Sequence, residues 1–280
     1  MRWLLGAQII IMSVSIPEQL YQDHHLSLSR LPSWLERLFI ALTYRAAHRI
    51  LTCRAFGAFV PILSRNPLAK DKLLVVDTLP SAMPTEAFFQ WATTFPAHSG
   101  KPAPVFRLIY VGRLHVEKLV EDLIQVMALL PRHTAPRFVL KLIGDGPDRH
   151  RLEAMAKDLG VQDIVEFAGY YPNERVAEEL MAADCFLSPL TGTSLREAAL
   201  LGVPIIVYER DWVVGLLTHG ENALMVTSRD IDAMARGVMR LAEDEALRRR
   251  LSENIRTLAQ QLWTFDKLNT SLAQIHDAVR

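Results

Sequence analysis

The chain has 280 residues, half of them apolar and 22% charged, with 13 Gly, 15 Pro and two cysteines. That mixture excludes a disordered, collagen-like or disulfide-stapled protein and has the size of about two ordinary domains. Thirty-one basic residues balance thirty-one acidic ones, which argues against a nucleic-acid partner.

Met1-Arg2-Trp3 followed by apolar Leu4 to Val14 imitates a signal peptide, but no small-x-small cleavage site follows. The run Ile9 to Val14 reads instead as a buried strand. Nowhere does the sequence reach the ~20 apolar residues needed to span a bilayer. Cys53 and Cys185 stand too far apart for a metal cluster and suit a reducing, cytoplasmic compartment. Residues 1–70 hold eight Lys/Arg against three acids, a local surplus that the rest of the chain cancels. Within them Leu31 to Leu51 reads as a helix. Pro32 suits its first turn, and Leu35, Leu38, Phe39, Leu42 and Ala46 recur at helical spacing. Trp34, Arg37, Arg45 and Arg49 could place residues 31–51 on an anionic membrane surface, or form the wet side of a helix packed on its own domain. His24 and His25 have no motif around them and read as loop. A short strand, Lys72 to Val76, precedes sequence broken by Pro80, Pro84, Pro96, Pro102 and Pro104. The stretch from Phe95 to Pro104 reads as an interdomain linker.

After Pro104 short β-branched runs alternate with helical stretches. Strands are expected at Phe106–Val111, Phe138–Ile143, Ile164–Phe167, Cys185–Ser188, Pro204–Val207 and Ala223–Val226. Helices are expected near 117–130, 148–159, 174–182, 194–202 and 212–219, and from 229 to the end. Apolar strands separated by helices of this length indicate an α/β fold with a parallel sheet covered on both faces. Such folds bind ligands beyond the carboxyl ends of the strands, where helix N-termini present free N–H groups.

Three loops lie there. Gly112-Arg113-Leu114-His115-Val116-Glu117-Lys118 combines a close-approach glycine with two cations, a set that suits a diphosphate. Gly144-Asp145-Gly146-Pro147-Asp148-Arg149 invites a dinucleotide reading, with Glu166 about 20 residues on. The third glycine of that fingerprint is absent, however, so a tight turn that starts the next helix is the plainer account. Thr191-Gly192-Thr193-Ser194-Leu195-Arg196-Glu197 opens a helix whose amides could hold a phosphate or sugar. Glu197, one turn in, could accept two hydrogen bonds from vicinal ribose hydroxyls or simply favour the helix dipole.

Taken in order, VGRLHVEK, LKLIGDGPDRHRLEAMAKDLGVQDIVEFAGY, ADCFLSP, REAALLGVPIIVY and HGENALMV resemble the donor-binding domain of the retaining GT-B glycosyltransferases of family four (glycosyl transferases group 1). The resemblance covers residues 104–228. It implies Arg113 and Lys118 as diphosphate ligands, Gly112 as the close-approach glycine, and Glu197 as the ribose-binding second glutamate of an E-x7-E motif. It places Gly169 and Tyr170 beside the base, with Gly192, Thr193 and Ser194 supplying the amides of the third loop. The implied chemistry is transfer of a sugar from a UDP- or GDP-linked donor to a hydroxyl of a lipid-linked or saccharide acceptor, with retention. The cations would stabilise the leaving diphosphate without metal or other cofactor. Surface polysaccharide or glycolipid synthesis, at the inner membrane face, is the implied setting.

Two departures stand out. Pro189 lies eight residues before Glu197, so the first glutamate is missing, and Gly215 stands where relatives often carry Glu. The resemblance also leaves residues 1–103 for a truncated, acceptor-side α/β domain and linker. Residues 104–263 form the complete Rossmann-like donor domain, and 264–280 a helix that packs back on the first. Asp230-Ile231-Asp232 resembles a metal-binding Asp-x-Asp but falls at a helix start, where capping explains it.

Overall fold

The computed structural model describes residues 10–12, 38, 41–42, 44–53, 63–76, 83–94, 104–132, 136–190, 192–210 and 213–279. Outside them fall His24 and His25, residues 31–37, 39–40 and 43 of the expected 31–51 helix, residues 95–103 of the expected linker, Thr191, Asp211 and Trp212. The chain divides into two compact units: Met1–Ala82 with Asp211–Leu216 and Thr264–Arg280, and Met83–Arg210 with Leu217–Trp263.

The first unit holds a three-stranded parallel sheet of β1 (Ile10–Met12), β2 (Arg49–Cys53) and β3 (Leu73–Val76), in that order. Residues 49–51, expected to be helical, are strand. The helix is present at 38, 41–42 and 44–46 and stops before β2. Lys72 explains the stop: its Nζ donates to the carbonyl oxygens of Tyr44 at 2.8 Å and Arg45 at 3.0 Å, satisfying acceptors that a helix end leaves open. Ile50, Leu51 and Thr52 are then buried in the middle strand, where a β-branched run gains most. The last helix, Phe265–Val279, belongs to this unit and packs against β3.

The second unit is built on six parallel strands: β4 (Val105–Val111), β5 (Arg137–Ile143), β6 (Val165–Gly169), β7 (Cys185–Ser188), β8 (Ile205–Tyr208) and β9 (Leu224–Val226). Their order is β6-β5-β4-β7-β8-β9. The helices are α1 (Glu86–Thr94), α2 (Val120–Leu129), α3 (Arg149–Asp158), α4 (Asn173–Ala182), α5 (Thr193–Leu200), α6 (Ile231–Glu243) and α7 (Glu245–Leu262). One core, including Leu108, Tyr110, Leu123, Met127, Leu140 and Leu142, fills the space between the sheet and its helices. Two expectations fail here. Residues 214–219 are turns and isolated bridges rather than an α-helix: Gly215 takes φ +88° and the Thr218 N–H is held by the Asn222 side chain at 2.8 Å. Helix α1 occupies sequence read as irregular: the prolines flank it, and Phe88 and Ala92 bury one stripe.

From β4 the chain steps to β5 and β6, then crosses back to β7 on the other side of β4. That reversal between β4 and β7 creates the crevice where ligands of such sheets bind.

Candidate functional site

The loop after β4 is fixed by its neighbours' backbones. Gly112 N–H donates to Ile143 O at 2.9 Å, Leu114 N–H to Asp145 O at 3.0 Å, and Asp148 N–H to Leu114 O at 3.2 Å. Gly144 N–H donates to Gly169 O at 2.8 Å, so the loops after β4, β5 and β6 form one hydrogen-bonded set. The glycines make this contact possible. A Cβ on Gly144, which has φ +132°, would lie 2.0 Å from Gly112 O, and one on Gly146 would lie 2.2 Å from Leu114 O. The Gly-x-Gly of residues 144–146 is therefore a packing clasp, and Arg149 starts α3 behind it. Arg149 reaches back, donating to Phe167 O at 3.0 Å and pairing with Glu153 at 2.8 Å.

Arg113 is exposed on this clasped loop, and its carbonyl accepts from the Tyr110 hydroxyl at 3.3 Å. Burial raises the Tyr110 pKa, which keeps that hydroxyl protonated. Lys118 ends a 3-10 turn, Val116–Lys118, opened by His115, whose Nδ1 accepts from Glu117 N at 3.3 Å. Leu119 follows in the left-handed region, φ 53°, and turns the chain into α2. Among the described residues neither Arg113 nor Lys118 uses its cationic head in an ion pair or hydrogen bond.

Beneath that turn, the first turn of α2 is anchored by a buried acid that sequence reasoning missed. Asp122 is 1% exposed, accepts from the Tyr208 hydroxyl at 2.8 Å and pairs with Arg229 at 3.2 Å. Arg229 also reaches Glu121 at 3.4 Å, as does Arg151. Burial pushes the Asp122 carboxyl upward, while the Tyr208 hydroxyl and the Arg229 cation pull it back. A legible signal existed: an aspartate in an otherwise apolar helical stripe, Val120, Leu123, Ile124 and Met127, needs a partner.

The loop after β7 is of another kind. Gly192 is the N-cap of α5 and supplies no side-chain acceptor to its first-turn amides. By contrast Asp230 caps α6 at Ala233 N and Asp244 caps α7 at Leu247 N, each at 2.8 Å. Asp230 thus has the capping role expected of it. A Cβ at Gly192 would meet open space. Thr193, Ser194 and Glu197 are each half-buried on α5. Burial raises the Glu197 carboxyl to about 7, with the neighbouring Arg196 cation opposing the rise. Gly169 ends β6 with φ +75°, and Tyr170 beyond it is 81% exposed. Pro189, eight residues before Glu197, is buried.

Arg113 and Lys118 thus stand after β4, and Gly192, Thr193, Ser194 and Glu197 after the adjacent β7, one set on each side of the switch point. Gly169 and Tyr170 join the first set through the Gly144–Gly169 hydrogen bond. Cations and uncapped helix amides on two neighbouring loops can hold a multiply charged anion, and a half-buried carboxylate can accept from hydroxyls beside it. Among the described residues there is no group of three or more His, Cys, Asp or Glu that could hold a metal ion. None of their helices is long and apolar enough to cross a membrane.

Residues 93–258 match the family model described as glycosyl transferases group 1. An exopolysaccharide phosphotransferase of Streptomyces coelicolor is 31% identical over 230 residues, which cover 76% of this chain and 24% of that protein. The lipopolysaccharide core biosynthesis glycosyltransferase LpsE of Rhizobium meliloti is 33% identical over 157 residues, covering 54% of this chain and 44% of its own length. The chain therefore spans less than half the length of these two relatives. Among solved structures, Anabaena HepE in complex with UDP-glucose superposes with a TM-score of 0.72 at 18% identity, over 99% of this chain and 74% of that one. At that identity the likeness shows a shared fold, the GT-B type.

Proposed function

This chain belongs to the glycosyl transferases group 1 family, and we propose that it is a glycosyltransferase whose second unit binds a nucleotide-sugar donor. The observation that carries the reading is the placing of two cations without partners among the described residues after β4, and an uncapped helix with a half-buried carboxylate after β7, across the switch point. In this reading Arg113 and Lys118 hold the diphosphate, Gly192, Thr193 and Ser194 offer amides, and Glu197 accepts from the ribose hydroxyls. The base lies beside Gly169 and Tyr170. HepE is described in complex with UDP-glucose, which favours a uridine hexose donor over the guanosine alternative.

Transfer then breaks the bond from the anomeric carbon to the diphosphate oxygen and forms one to the acceptor oxygen on the same face, with retention. The acceptor proton passes to the departing diphosphate, whose charge Arg113 and Lys118 stabilise without a metal. The acceptor is a lipid-linked or saccharide hydroxyl of a surface polysaccharide or glycolipid, as the names of the Streptomyces and Rhizobium relatives favour. We place the reaction in the cytoplasm against the membrane: Leu38 and Leu42, one turn apart, are 47% and 56% exposed beside exposed Arg45.

A second reading, a nucleotide-binding protein without turnover, is favoured by Pro189 in place of the first glutamate. Calorimetric titration with UDP, GDP and ADP, followed by a sugar-transfer assay, separates the two. The proposal expects at least one nucleotide to bind and Arg113→Ala and Lys118→Ala to weaken it together, each by about tenfold. Binding of none would overturn both readings, and binding without transfer would select the second.

A further inference from the structure

Along the outer edge of the six-stranded sheet, β9 and α6 bound a cleft of about 310 Å³ that lies apart from the β4–β7 crevice. β9 ends the strand order, and the imidazole of His219 covers its free side. Nδ1 lies 2.8 Å from Met225 O and 3.1 Å from Met225 N. The tautomer sets the bond: a protonated Nδ1 donates to the Met225 carbonyl oxygen, and an unprotonated one accepts from the Met225 amide.

Arg236 and Arg240, one turn apart on α6, line the same cleft. Some exposed arginines elsewhere in the unit have carboxylate partners, Arg151 with Asp148, Arg175 with Glu179 and Arg249 with Glu245, whereas Arg107, Arg113 and Arg137 have none among the described residues. Arg236 and Arg240 make no ion pair or side-chain hydrogen bond among the described residues, although Asp232 lies four residues before Arg236, a spacing that supports pairing on a helix. The acid in the lining, Asp230, has one carboxylate oxygen on Ala233 N as the helix cap. Two forked guanidinium groups a turn apart, lining one concave surface with an imidazole, match the oxygens of a phosphate.

We propose that the cleft between β9 and α6 binds a phosphate group, carried either by a lipid headgroup or by a free phosphorylated ligand. The inference does not rest on the donor site. It is tested in the full chain carrying Arg113→Ala and Lys118→Ala, so that phosphate held by the donor loops does not contribute. Inorganic phosphate is titrated by calorimetry, and vesicles of phosphatidylglycerol are compared with vesicles of phosphatidylcholine by co-sedimentation. Adding Arg236→Gln and Arg240→Gln should weaken binding at least tenfold. Capture of phosphate alone assigns a soluble ligand, and capture of phosphatidylglycerol vesicles assigns a headgroup. Binding of neither probe, or binding equal with and without Arg236 and Arg240, overturns the proposal. If the double variant melts lower than its parent, the single variants Arg236→Gln and Arg240→Gln decide, each titrated below its melting transition: weakened binding in both supports the site and unchanged binding overturns it.

Discussion

The loops after β4 and β7 face each other across the switch point, yet their functional groups are held by different means. The first commits its backbone to its neighbours, through Gly112, Leu114, Gly144 and Asp148, and leaves only the heads of Arg113 and Lys118 unengaged. The second leaves its first-turn amides without a side-chain cap and holds a half-buried carboxylate. A loop of the first kind fails by losing its shape, whereas one of the second kind fails by losing its ligand. Stability and nucleotide affinity should therefore separate across the crevice.

The sharpest way to break that contrast is Gly144→Ala. The new Cβ would meet Gly112 O in a backbone conformation that L side chains avoid, so stability should fall by about 3 kcal/mol, read as a denaturant midpoint. An unchanged midpoint would show that the clasp is not structural. Next in size is Asp122→Ala, which leaves the Tyr208 hydroxyl and Arg229 without their acceptor and should cost about 2 kcal/mol. If Asp122 also positions Lys118, nucleotide affinity drops with it while Asp122→Asn recovers most of both.

On the β7 side the effects should be on binding. Glu197 has a carboxyl raised to about 7, so the folded state favours its protonated form. Stability from this group is therefore lost as pH rises from the ordinary carboxylate range through about 7. Glu197→Gln should remove that slope and be more stable than the parent above pH 7. Nucleotide affinity of the parent should rise through the same range as the acceptor ionises, whereas the glutamine variant stays flat and about tenfold weaker. Gly192→Ala is the smallest change. Its φ of −157° suits any residue and its Cβ meets open space, so the midpoint should move by no more than about 0.5 kcal/mol. A larger loss of stability there would erase the distinction between the two loops.

Much of the second unit was legible because its strands are short, buried and parallel, which leaves apolar runs without polar alternation. The β2 strand was not, since Ile50 and Leu51 continue the leucine spacing of the preceding helix until Lys72, distant in sequence, closes it. In one dimension the clasp reads only as a turn, because a glycine's neighbour across space is invisible there. Asp122 pairs with residues 86 and 107 positions away, beyond any local pattern. Motif order is what singles out Arg113, Lys118 and Glu197; the structure adds how each is held, and their part in nucleotide binding is the proposal made above.

The clasp has a consequence for engineering. Residues 112–118, 144–149 and Gly169 share one backbone hydrogen-bond set, so none of these loops can be lengthened or exchanged alone. A graft that moves Arg113 into another scaffold must carry the other two segments with it as a single cassette.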